Sequence, residues 1–177
     1  VRGSRFRKPF GYGRAATWIA LMGQAIDFAD LLATTGDAVV VSDVKGAIVV
    51  WNAAAERVFG FSAQEALGSS LDIITPERHR ERHWQGYAKS MTTGTTRYGD
   101  GEMLRVPALH KDGRTLSIAF TVGLLFDHEG KALGVSAIIR DETSAWNQKR
   151  EARKRISELE ARIRELEASA LVETSKV

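Results

Sequence analysis

The stretch Asp37–Ser62, DAVVVSDVKGAIVVWNAAAERVFGFS, constrains the fold of this 177-residue chain more than any other. Val39, Val40 and Val41 form a β-branched run, and Ala47–Trp51 forms a second. Between them Asp43-Val44-Lys45-Gly46 has Asp at the first and Gly at the last position of a type I turn, so the pair reads as a hairpin. Asn52 stands where an N-cap belongs, ahead of the helix-forming run AAAERVF. Ser62-Ala63-Gln64-Glu65 is a capping box, and Gly68 closes the short helix that it opens.

Residues 1–16 carry Arg2, Arg5, Arg7, Lys8 and Arg14 with no acid, and read as a tag, linker or basic tail. The apolar run Ala15–Met22 is broken by Gly23 and Gln24 and is far too short to span a bilayer. Over 17–33, Trp18, Met22, Ile26, Ala29 and Leu32/Ala33 recur every three to four residues, which predicts an amphipathic helix. Such a helix covers the core or pairs with its copy.

A second helix is announced by Thr75 as N-cap, Pro76 at the first helical position and Glu77 near the positive end. It runs to Thr93 and stops at Gly94, with His79, His83, Tyr87 and Ser90/Met91 on one face. Three strands follow: Glu102–His110, Arg114–Phe126 and Lys131–Arg140, separated by Lys111-Asp112-Gly113 and Asp127-His128-Glu129-Gly130. Leu116, Ile118, Phe120, Val122 and Leu124 alternate with smaller or polar residues, the mark of a sheet with one buried face. Five strands with helices on one face predict an α+β fold with an antiparallel sheet. Hydrophobic residues at 44% of the chain are enough for a packed core.

From Ser144 to about Leu171 the chain reads as one long helix. Ile156, Leu159, Ile163 and Leu166 alternate spacings of three and four, with Ile at a and Leu at d, the combination of a parallel two-stranded coiled coil. Lys149 falls at a and Ala152 at d, so the seam is weak near the sheet. A homodimer is expected.

The order hairpin, short helices, long helix and three-stranded meander resembles the PAS sensory domain family, over about Ala33–Thr143 plus both flanking helices. The resemblance implies a domain at 34–143 and a coiled-coil signalling helix and tail at 144–177. PAS domains commonly end in Asp-x-Thr at the junction with an outgoing helix, and Asp141 and Thr143 fill those positions. Their physical role is to cap that helix and set its exit angle; their role in signal relay is what the resemblance implies. The family binds small cofactors or metabolites, or nothing, and fold alone does not name the ligand. The alternative to a ligand sensor is a cofactor-free dimerisation or protein-interaction scaffold. The downstream partner is unknown.

The run PERHRERHWQGY further resembles the helix of haem-binding, oxygen-sensing PAS domains, whose proximal histidine lies seven residues beyond a proline, as His83 lies beyond Pro76. That resemblance makes haem a possible cofactor with His83 as its iron ligand. Counting from Asp112 puts Phe120 and Val122 on the apolar distal wall. Tyr87 is one residue late against those sensors. Leu104 stands where they carry a ligand-sensing arginine, and Arg105 and Met103 are each one position out. Met103 enters the pocket only through a bulge near Gly99–Gly101. Ile118 and Ile138 complete the expected lining.

Other chemistries are poorly served. No Gly-rich phosphate loop or serine elbow occurs. The i,i+4 pair His79/His83 lacks a zincin's glutamate and an evident third ligand. Without cysteine there is no disulfide, thiolate metal site or LOV-type covalent flavin chemistry. The net charge of +3 is small and sits in the first fourteen residues and the last helix, which argues against nucleic acid. The expected setting is cytoplasmic, with no membrane partner and no enzymatic activity.

Overall fold

A computed structural model describes residues 27–98 and 101–174, with side chains through Glu165. Its sheet-bearing unit ends at Arg140, and the chain from Asp141 onward is a second compact unit.

The hairpin forms as its residues dictate. β1 (Ala38–Asp43) pairs antiparallel with β2 (Ile48–Trp51), with Val40 opposite Trp51. The turn is closed by Gly46 N–H on the Asp43 carbonyl at 2.9 Å, while the Asp43 carboxylate accepts from Lys45 and Ala47 N–H. Gly46 has φ +81, and a Cβ there would lie 2.3 Å from the Trp84 ring, so only glycine fits. Asn52 caps α2 (Ala53–Phe59) through Ala55 N–H, and Gly60, in the left-handed region, ends it. α3 (Ala63–Ala66) carries the complete capping box of Ser62 and Glu65.

A 3-10 turn at Leu71–Ile73 leads into α4 (Glu77–Thr93). Its boundary falls one residue later than the sequence suggests. Pro76 is the cap residue, and the Thr75 hydroxyl donates back to the Leu71 carbonyl instead of capping forward. Gly94 stops the helix as expected, its N–H on Ser90 O.

β3 (Leu104–Leu109), β4 (Thr115–Phe126) and β5 (Ala132–Asp141) complete a five-stranded sheet in the order β2-β1-β5-β4-β3. β1 pairs antiparallel with β5 and β3 with β4. The core lies on one face: Ala38, Val40, Leu116, Ile118 and Ile139 from the sheet meet Ala54, Ala55 and Phe59 of α2 and Tyr87 of α4. The α+β fold expected from the sequence is therefore present.

Two helices flank the sheet in sequence. α1 (Phe28–Thr34) opens on the Asp27 cap, with Ala29 N–H on its carboxylate at 2.8 Å. None of its residues is buried, so Ala29, Leu32 and Ala33 do not form a core-covering stripe here. Trp18, Met22 and Ile26 lie outside the described residues. α5 (Thr143–Thr174) is a single 32-residue helix. Among the described residues no helix is long and apolar enough to cross a membrane.

Candidate functional site

α4 is a polar helix with a single buried residue, Tyr87, so a few contacts decide where it lies on the sheet. The Tyr87 hydroxyl meets two oxygens, the Asp43 carbonyl and Ser42 Oγ, the latter at 2.8 Å. A carbonyl only accepts, so the phenol proton goes to Asp43 and the Ser42 hydroxyl donates to Tyr87. Burial raises the phenol's pKa and keeps that proton in place. One turn earlier, Trp84 lies against Gly46 and donates its Nε1–H to Asp72 Oδ1 at 2.8 Å. Arg80 fastens the same corner through the Asp72 and Thr75 carbonyls.

His83 sits between these two anchors. Its ring centroid is 4.9 Å from that of Trp84, edge-on, and 6.0 Å from that of Tyr87. Nδ1 is buried and has no hydrogen-bond partner. Burial lowers the imidazole's pKa, against a smaller opposing pull from Asp72, so the ring is neutral at pH 7. A neutral imidazole with an unengaged buried nitrogen can coordinate a metal centre or hydrogen-bond a ligand. Buried polar atoms without partners are rare enough to need a reason.

The inner face of β4 places Ile118 in the core, with Phe120 and Val122 half-buried beyond it. Leu104 pairs with Phe120 and shares its face. Arg105 pairs with Ala119 and is therefore on the opposite face, which leaves no β3 arginine on the inner side. At the far end Phe126 Cε1 comes within 3.6 Å of where a Cβ on Gly94 would lie, so the last residue of β4 reaches the C-terminus of α4.

Two expected lining residues, Ile138 and Met103, need correction. Ile138 is 52% exposed: Ala137 and Ile139 take the inner positions of β5, and strand alternation turns Ile138 outward. Met103 precedes β3 and is 50% exposed, so it does not line the inner face. Tyr87 is at the site, but its hydroxyl is spent on anchoring α4 rather than left for a ligand. The remaining histidines lie elsewhere. His79 is exposed and accepts from Arg78 Nε, His110 packs against Gly60 and contacts Asp112, and His128 is exposed in a turn. Among the described residues no group of three His, Asp or Glu could hold a metal ion.

At the end of β5, the Asp141 carboxylate accepts from Thr143 N–H at 2.8 Å and from the Thr143 hydroxyl, closing the start of α5. The sequence reading missed two neighbours. Arg140 grips Asp37 with two bonds, 3.0 and 2.7 Å, and that guanidinium holds the Asp37 carboxyl below its usual pKa. Buried Asn52 uses its whole amide: Oδ1 accepts from Val39 and Ala55 N–H, and Nδ2 donates to the Leu32 and Asp37 carbonyls. Its position as a helix cap was legible, but the α1 and β1 partners on the other side were not. Along α5, Ile156, Leu159 and Ile163 are 55%, 57% and 54% exposed. Leu166 is helical, but its side chain is beyond those described.

Comparison with known proteins converges on this architecture. The model of the PAS fold family matches residues 26–141. An uncharacterized protein of Azorhizobium caulinodans is 35% identical over 114 residues, 63% of this chain and 15% of that protein. The sensor protein FixL of Bradyrhizobium diazoefficiens is 33% identical over 105 residues, 59% of this chain and 20% of FixL. The chain thus spans a fifth or less of these relatives' length. Among solved structures, a PAS domain from Colwellia psychrerythraea aligns with TM-score 0.57 and 24% identity, over 66% of this chain and 95% of that one. The PAS domain of Bordetella pertussis BvgS aligns at 0.52 and 19%, over 72% and 94%. At these identities the structural likenesses establish the fold alone.

Proposed function

The chain belongs to the PAS fold family, and on that footing we propose that it is a dimeric sensory module holding a small ligand between α4 and the inner face of β4. Arrival or loss of the ligand is relayed through the end of β5, where Asp141 and Thr143 start α5. The observation that carries this reading is the neutral His83 imidazole with its buried, unpartnered Nδ1. The similarity to a sensor protein at 33% identity supports the sensory role.

The residues present fit a haem. His83 offers a neutral nitrogen ligand, and half-buried Leu104, Phe120 and Val122, with Ile118 behind them, offer an apolar wall. Haem, if bound, would supply an iron able to take up a small gas or to report redox conditions. This chain's own residues do the rest: Tyr87 and Trp84 hold α4 in register, the apolar strand residues exclude water, and Leu104 puts no hydrogen-bond donor where an arginine would stand. That composition favours ligands that need no donor, such as carbon monoxide, over oxygen.

Haem titration read in the Soret band tests the assignment. The wild type should give a stoichiometric band that His83→Ala weakens or shifts. Absence of the band, or a spectrum unchanged in the variant, removes haem from His83. A cofactor-free scaffold is the second reading, favoured by the exposed Ile156/Leu159/Ile163 stripe, which serves a dimer whether or not the pocket is filled.

A further inference from the structure

A histidine that ligates a metal almost always passes its other ring N–H to a carboxylate, a carbonyl or water, and losing that partner typically costs about 10–100-fold in affinity. His83 has no such support. Its Nδ1 is buried without a partner, and among the described residues neither ring nitrogen makes a hydrogen bond. Asp72, whose charge reaches the ring, is committed elsewhere. It accepts from Trp84 Nε1–H at 2.8 Å and stands 3.7 Å from Arg80 Nε.

The sheet side of the pocket holds a ligand no more firmly. Leu104, Ile118, Phe120 and Val122 are hydrocarbon, so they supply no second ligand to an iron, and Met103 lies off the inner face. That wall is also open on one side. β3 is the edge strand of the sheet, and its Val106 pairs with Ile118 and shares the inner face. Ile118 is 5% exposed and Val106 40%, so the inner face is closed at β4 and reached by solvent at β3. We infer that haem itself is the signal this domain reads: an exchangeable ligand on an unsupported His83, entering and leaving across the β3 edge at Val106. The inference rests on the haem reading above and specifies it. A resident cofactor stays filled and reports only what binds to it. A weakly held one is filled or empty according to its free concentration around Kd, so its own arrival and loss become the event passed to α5.

Haem transfer tests this. The full chain is loaded with one equivalent of haemin, excess apomyoglobin is added as a trap, and the Soret band is followed. Haem should pass to the trap within minutes, at a rate independent of trap concentration. Transfer that takes many hours overturns the inference and leaves haem as a resident cofactor. No Soret band on loading overturns the haem reading and this inference with it. Val106→Phe narrows the open side and should slow transfer several-fold with the Soret position unchanged; a rate equal to wild type overturns the β3 route. Resonance Raman of the ferrous loaded chain should give an iron–histidine stretch below that of myoglobin. A stretch at or above it overturns the attribution of lability to the unsupported imidazole.

Discussion

At the scale of single residues, two neighbouring polar side chains of α4 are in opposite states. Tyr87 is fully engaged and His83 is not. Replacing Tyr87 by Phe strands the buried Ser42 hydroxyl and leaves the Asp43 carbonyl with only its Gly46 N–H partner, which should cost about 1–3 kcal/mol in urea denaturation. Ser42→Ala in the same background should recover part of it, since the stranded hydroxyl is then gone. His83 makes its mark through pH. Its folded pKa lies below the ordinary 6.5, so below that value the unfolded chain holds a proton that the folded one lacks. Stability therefore falls as pH drops from 6.5 toward the folded value, and the penalty is complete beneath it. His83→Gln should melt with a shallower pH dependence than wild type between about pH 7 and 5. Equal slopes would show that burial does not hold the ring neutral.

Elements were legible in the sequence where a local rule decides them. The Asp43–Gly46 turn, the Asn52 cap, the Ser62/Glu65 box and the Gly94 stop all depend on residues within a few positions of each other, and all are present. The rule failed where two neighbours compete. Ile138 and Ile139 are equally apolar, and only the pairing of Ile139 with Ala38 settles which one faces the core. Thr75 and Pro76 both suit a helix start, and the preceding 3-10 turn draws the Thr75 hydroxyl backward. Long-range polar partners left no local trace: nothing near Tyr87 points to Ser42, 45 residues away, and nothing near Arg140 points to Asp37. The start of α5, by contrast, is a local cap. Asp141→Ala should cost ~1 kcal/mol and raise hydrogen exchange over 145–153 while β1 and β4 stay protected. If neither Asp141→Ala nor Thr143→Ala alters that segment, the signal does not leave through this junction.

For the whole molecule, the sheet unit and α5 are joined by thermodynamics if α5 carries the output. The stripe Ile156, Leu159, Ile163 and Leu166 is short, so the dimer should be concentration-dependent, associated at about 100 µM and dissociating on dilution. Leu159→Asp with Ile163→Asp puts four carboxylates into the seam of a dimer and should leave the chain monomeric in sedimentation. Because both sites are exposed in the single chain, the double variant should keep the wild-type melting of the sheet unit. Linkage then makes a further demand. If filling the pocket strengthens or weakens dimerisation by some factor, dimerisation must change the affinity of the pocket by that same factor. With haem as the probe, titrating the wild type above and below its dimer midpoint should give two affinities, and the monomeric variant should match the dilute one. The ratio should equal the change in the dimer constant between loaded and empty protein. One haem affinity at every concentration, alongside an intact dimer, would mean that the pocket and α5 are uncoupled and that the helix serves assembly alone.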